Sequence, residues 1–227
     1  MRTKAKRCAV MIAIPEDFAR DVVHQAGEAG RIWIDRLPSV VEALGKRWHL
    51  VVDGAPMHGY LGIVVPVRRG SEQCVLKVSW GNESTRHEVS ALSIWNGQGA
   101  VRLLASEPSI GAMLLERLNS RRSLHEVEIG EAVAIAGHLL RRLAVPAPDG
   151  LLLLQEIAER LCETLPERWD RLGRPIPRPL VDAACDLAAQ LGPAAGSLLV
   201  DYDLHYGNVL AGDREPWLVI DPKAVGW

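Results

Sequence analysis

The sequence predicts an α+β chain, with an antiparallel sheet in its first half and mainly helices in its second. Two observations carry this expectation. Short β-rich runs at 49–52, 60–67 and 74–78 are separated by the turn pairs Asp53-Gly54 and Arg69-Gly70. Further on, apolar residues recur at helical spacing, as Val127, Val133, Ala136, Leu140 and Leu143 do.

Pro15-Glu16-Asp17 suits a helix start, where a missing N–H costs nothing and negative charge complements the helix dipole. Phe18, Val22 and Val23 continue that helix, and a second begins near Gly30, with Ile32, Trp33, Leu37, Val40, Val41 and Leu44 on its apolar side. After the three strands come a helix at about 84–95 and two further strands at 101–105 and 112–115. Polar Asn119 to Ser123 then marks a boundary. The expected division is a first lobe of two helices plus a sheet at 1–116 and a mainly helical second lobe at 117–227. In the second lobe helices are expected at 126–143, 151–165 and 179–191. A hairpin turning at Gly212-Asp213-Arg214-Glu215-Pro216 should close it.

At 227 residues, with 48% apolar and 24% charged residues, the chain can bury a core without metals or disulfides. A formal net charge of -2 gives no broad basic field, so nucleic acid is not an expected partner. Cys8, Cys74, Cys162 and Cys185 are widely spaced, and Cys74 and Cys185 sit in apolar stretches, which fits a reducing cytoplasm. The basic start Met1 to Arg7 leads into an apolar run, 8–14, broken at once by Pro15, Glu16 and Asp17. Neither secretion nor a membrane span is expected.

The sharpest chemical signal is Asp203-Leu204-His205-Tyr206-Gly207-Asn208, followed after the hairpin by Ile220-Asp221-Pro222. In phosphoryl transfer to an alcohol, one carboxylate orients the hydroxyl and takes its proton, while an amide oxygen and a second carboxylate hold magnesium on the phosphates. Asp203, Asn208 and Asp221 offer one group for each task. An arbitrary acid and amide five positions apart would more often be a plain surface turn, and it is the added hairpin and Asp221 that favour chemistry.

Asp203-Leu204-His205-Tyr206-Gly207-Asn208-Val209-Leu210, with Trp217-Leu218-Val219-Ile220-Asp221-Pro222-Lys223, resembles the aminoglycoside phosphotransferase superfamily, and within it the streptomycin 6-kinase and hydroxyurea phosphotransferase group. The resemblance implies a protein-kinase-like two-lobed fold, ATP and Mg2+ as cofactors, and a catalytic aspartate in a motif of the form H-G-D-L-H-x-x-N. Those roles fall on Asp203 as catalytic residue and on Asn208 and Asp221 as metal ligands, with His205 bracing the loop. Asp201-Tyr202 depart from the superfamily's usual His-Gly.

Strand alternation makes Lys77 face opposite to Leu76 and Val78. The family pattern implies that this lysine reaches the ATP phosphates and pairs with Glu88, Glu83 being the fallback. The segment 54–62 sits between strands where a phosphate-covering loop would lie, though it has neither a G-x-G-x-x-G nor a Walker A pattern. Ala112 to Leu118 resembles the family's hinge, in which Glu116 and Leu118 would offer backbone groups to adenine; a plain core strand explains the same residues.

No zinc spacing, G-x-S-x-G elbow or dinucleotide fingerprint occurs. Trp33, Trp48, Trp80, Trp95 and Trp217 read as core, and Trp169 as the exposed one. Glu167 to Arg171 with Asp182 could form a pocket for a cationic substrate, or simply a solvated helix end.

The resemblance implies an antibiotic-resistance kinase acting on streptomycin or a similar small molecule. Members of the group continue past the Ile-Asp-Pro-Lys segment with an acidic stretch and further helices, whereas Trp227 follows Asp221 by six residues. The alternatives are therefore a shortened, catalytically impaired relative that at most binds nucleotide, or a kinase for another small alcohol such as hydroxyurea.

Overall fold

A computed structural model describes residues 12–194, 196 and 198–226, with the side chains of 82–84 and 194 left aside. The basic start and Cys8 lie outside the described residues. The elements, in order, are α1 (Glu16–Arg47), β1 (Leu50–Val52), β2 (Met57–His58), β3 (Gly62–Arg69), β4 (Glu72–Ser79), α2 (Asn82–Trp95), β5 (Leu103–Glu107), β6 (Ala112–Glu116) and β7 (Asn119–Ser123). There follow α3 (Ile129–Leu143), β8 (Val145–Pro146), α4 (Leu154–Arg171), α5 (Arg178–Leu191), β9 (Leu198–Asp201), β10 (Val209–Ala211), β11 (Leu218–Val219) and β12 (Ala224–Gly226). No helix among the described residues is long and apolar enough to cross a membrane.

Backbone contacts divide the chain into two units: one through Arg122 together with Leu210–Leu218, the other Ser123–Val209 with Val219–Trp227. The expected boundary at 116/117 thus shifts to 122/123, and the hairpin tip returns to the first unit. The reason is local. Asn119 to Ser123, read as a polar linker, forms β7, which pairs with the hairpin strand β10 in a sheet ordered β11-β10-β7.

In the first unit the main sheet runs β1-β3-β4-β6-β5, with β2 also paired to β3. Ile63, Val65 and Val67 of β3 stand opposite Val78, Leu76 and Cys74 of β4, and Leu76 stands opposite Leu114 of β6. All of these face one side and are fully buried. Phe18, Val22, Leu37, Val41 and Leu44 of α1 join them in a single cluster. Each such side chain contributes roughly 1.5–3 kcal/mol of burial. The two expected N-terminal helices are both present, joined within α1 across a kink at Gly27 (φ 58°, ψ -137°), a conformation that only glycine adopts cheaply.

The β3–β4 turn passes through Gly70 at φ +63° with nothing near its missing Cβ. At Gly111, before β6, the constraint is tighter: a Cβ would meet the Ser79 carbonyl oxygen at 2.3 Å.

In the second unit β9 pairs antiparallel with both β8 and β12, and α3 packs on β9. Helices α4 and α5 pack mainly on each other, where Cys162 and Cys185 direct their Sγ atoms at each other's carbonyl oxygens, at 3.3 and 4.0 Å. Cys185, expected in the core, is only partly buried.

Arg117 straps the end of the sheet, donating to the carbonyls of Val67 (2.7 Å) and Cys74 (3.2 Å) and to Asp53 (2.9 Å). Arg68 pairs with the same Asp53 oxygen at 3.1 Å. Hydrogen bonds from Arg68 and then Arg117 hold the Asp53 carboxyl below its usual range. A depressed carboxylate stabilises the fold above the unfolded-state pKa and ceases to as pH falls through the folded-state one. Asp53→Asn should therefore lower the thermal midpoint at pH 7, and the gap to the parent should close as pH drops below about 4. A gap unchanged between pH 7 and pH 3 in scanning calorimetry would contradict this.

Candidate active site

The sheet places Lys77 by exclusion. Its neighbours Leu76 and Val78 are committed to the apolar core, so Lys77 points from the other face, between Val64 of β3 and Met113 of β6. There Glu88 of α2 meets it: the ammonium lies 2.6 and 2.7 Å from the two carboxylate oxygens. The side chains are only 11% and 3% exposed, so this is a buried, charge-assisted pair rather than a screened surface contact. Glu83, the fallback partner, has a side chain outside the described residues.

Segment 54–62 contains the short β2, and its turn is closed by Gly59 N–H donating to Gly62 O at 2.9 Å. Tyr60 at the tip is 71% exposed.

Glu116 closes β6. Its backbone N–H donates to Arg102 O at 3.0 Å. Its side chain accepts from Arg102 N–H at 2.8 Å and from Arg214 Nη2 at 2.6 Å. Arg214, in the β10–β11 turn, also donates to the carbonyl oxygens of Gly97 and Ala100 and pairs with Glu215. Sequence reasoning took this arginine for an ordinary turn residue. Leu118 lies between β6 and β7, its side chain beside Gly212.

In the second unit Asp203 is exposed in the turn after β9, and Asn208 is 9% exposed at the end of a 3-10 turn spanning Tyr206–Asn208. His205 braces that turn: its Nδ1 accepts the Gly207 N–H at 3.1 Å, as a neutral ring with its proton on Nε2 would. Ile220 N–H donates to Asn208 O at 2.9 Å, which lays the Asp221 segment beside Asn208. Asp221 takes a left-handed φ of 49°, which aspartate tolerates better than most residues, and its carboxylate is 3.3 Å from Lys223 Nζ. The structure thus joins Lys77 to Glu88 in the first unit, and the Asn208 turn to the Asp221 segment in the second.

Among the described residues no group of three or more His, Cys, Asp or Glu side chains forms a metal cage. Magnesium needs none, since it takes one or two protein oxygens and fills the rest from phosphate and water. Asn208 and Asp221, an amide and a carboxylate on segments joined by a backbone hydrogen bond, are of the kind it takes.

Two acids of the group around Trp169 are paired with arginines. Asp182 pairs with Arg178 (2.7 Å) and Asp170 with Arg174 (3.0 Å), and both arginines stack on the Trp169 ring. The Trp169 Nε1 donates to Ile176 O at 2.7 Å. These contacts fit the solvated helix end.

Residues 47–226 match the model of a family described as aminoglycoside/hydroxyurea antibiotic resistance kinase. The chain belongs to that family. It is 42% identical over 216 residues to a streptomycin 6-kinase of Streptomyces glaucescens, covering 94% of this chain and 70% of the relative. It is 38% identical over 227 residues to a hydroxyurea phosphotransferase of Kitasatospora aureofaciens, covering 98% and 67%. A thermostable variant of aminoglycoside phosphotransferase APH(4)-Ia, solved in ternary complex with ADP and hygromycin B, shares the fold at a TM-score of 0.54 and 17% identity, covering 83% of this chain and 73% of that one. The family fold is the two-lobed kinase-like α+β arrangement, and the chain is a small-molecule phosphotransferase.

Removing one member of a buried ion pair strands the other charge, at a cost of about 3–5 kcal/mol, whereas replacing both by apolar residues is often nearly neutral. Glu88→Ala should accordingly destabilise by about that amount, and Lys77→Met/Glu88→Leu should recover most of it in urea unfolding. A single variant as stable as the parent would show that the pair is not desolvated.

Proposed function

We propose that this kinase moves the γ-phosphate of ATP onto a hydroxyl of streptomycin, with Asp203 as the catalytic carboxylate. The observation that carries the reading is the braced turn that holds Asp203 and Asn208, whose backbone is bound through Ile220 to the segment that carries Asp221. The acceptor follows from the kinship with streptomycin 6-kinase.

Lys77, oriented by Glu88, binds the α- and β-phosphates, so the ammonium meets ATP without first being ordered. Glu116 through its carbonyl and Leu118 through its N–H receive the adenine edge. Asn208 and Asp221 would hold magnesium, which would supply positive charge to the phosphates. Asp203 accepts a hydrogen bond from the acceptor hydroxyl, aligns its oxygen in line with phosphorus and takes its proton as the P–O bond forms and ADP departs. The new phosphate adds up to two negative charges to a drug whose target is phosphate-rich RNA, and repulsion there accounts for resistance. Cys74, Cys162 and Cys185 are free thiols, in keeping with action in the cytoplasm.

A second acceptor, the hydroxyl of hydroxyurea, is supported by the likeness to hydroxyurea phosphotransferase. ADP release measured with magnesium ATP and either streptomycin or hydroxyurea separates the two. Streptomycin-dependent turnover should fall about a thousandfold in Asp203→Ala. Turnover with hydroxyurea alone overturns the acceptor, and bound nucleotide without turnover would favour an impaired relative.

A further inference from the structure

Asp201 ends β9 and is 5% exposed, and its position is one where the family motif has histidine. Its Oδ1 accepts two backbone hydrogen bonds, from Asp203 N–H at 3.1 Å and from Lys223 N–H at 3.0 Å. Its Oδ2 is sealed from solvent and has no hydrogen-bond partner among the described residues.

We propose that Asp201 is a positioning residue for phosphoryl transfer, its single oxygen Oδ1 bridging the backbone of the Asp203 turn to that of the Asp221–Lys223 segment. The inference rests on the roles given to Asp203 and Asp221 above. Tyr202 N–H donates to Lys223 O at 3.2 Å and Asp201 faces Ala224 in the β9–β12 ladder, so the two segments already run side by side. Regular pairing ends there, because Asp203 turns away and Asp221 has a left-handed backbone. The Oδ1 bridge extends the coupling past the end of the ladder. One acceptor serving both N–H groups cannot follow either segment without straining its bond to the other, so it fixes the spacing of base and metal ligand. A displacement of about 1 Å between such groups costs about a hundredfold in rate.

Burial pushes the Asp201 carboxyl up; its two N–H bonds pull it down, and the charges of Asp203 and Asp221 push it up again. Asparagine keeps the Oδ1 acceptor and removes the charge.

The test uses the full chain with Asp201→Ala and Asp201→Asn, and reads three quantities. These are amide hydrogen exchange at Asp203 and Lys223, Mn2+ affinity of the AMP-PNP complex by electron paramagnetic resonance, and kcat against KM for ATP. In Asp201→Ala both amides should lose protection together and Mn2+ affinity should fall about tenfold. Its kcat should fall about a hundredfold with KM for ATP little changed. Asp201→Asn should restore all three. Unchanged Mn2+ affinity and kcat in Asp201→Ala overturn the proposal, as does an Asp201→Asn variant as impaired as Asp201→Ala. Should the alanine variant not fold, the parent still decides: unprotected amides at Asp203 or Lys223 refute the bridge. Absence of turnover in the parent counts against the kinase reading alone, since exchange and Mn2+ binding still judge Asp201.

Discussion

A strand buried on one face dictates where its remaining side chains go, and that constraint underlies the first unit. Once Cys74, Leu76 and Val78 are committed to α1, the pleat sends Lys77 to the opposite side, onto a rung between Val64 and Met113. A one-residue slip would bury an ammonium in the core and expose leucine, an error no side-chain adjustment could absorb. Glu88 then has one task, to meet a charge whose place is already set. The pair adds little net stability, and what it supplies is order, because a flexible lysine is held in one place.

The second unit solves the same problem with backbone. Its acids stand on turns, where no pleat dictates direction, and single hydrogen bonds replace it: His205 to Gly207, Ile220 to Asn208, and Asp201 to both Asp203 and Lys223. A turn anchored at every second or third residue approaches the rigidity of a strand while leaving Asp203 open to solvent.

Where the chain repeats with a clear period, the sequence was readable. The alternation in β3 and β4 and the helical spacing of α3 needed only residue order, and Lys77 and the Asp203–Asp221 constellation followed from pattern and resemblance. Elements without apolar contrast escaped. All of β7 is Asn-Ser-Arg-Arg-Ser, so nothing in it distinguishes an exposed strand from a loop, and β2 is two residues long. Arg214 was illegible for another reason: its partners Gly97, Ala100 and Glu116 lie about a hundred positions earlier, beyond any local pattern. Asp201 left one trace, an acid where the motif has histidine, but its two-way bridge depends on a segment 22 residues away.

The grip of Arg214 has a consequence for altering the molecule. Two tight turns, at Gly70 and at Gly212 to Pro216, look alike in composition, both polar and both joining paired strands. At Gly70 the chain reverses in open space, so extra length there would leave the sheet's rungs in register. The hairpin turn is spent on Glu116 and on the carbonyls of Gly97 and Ala100, and an insertion would pull its guanidinium out of them. A fluorophore-bearing loop or affinity tag belongs at the first turn and not at the second.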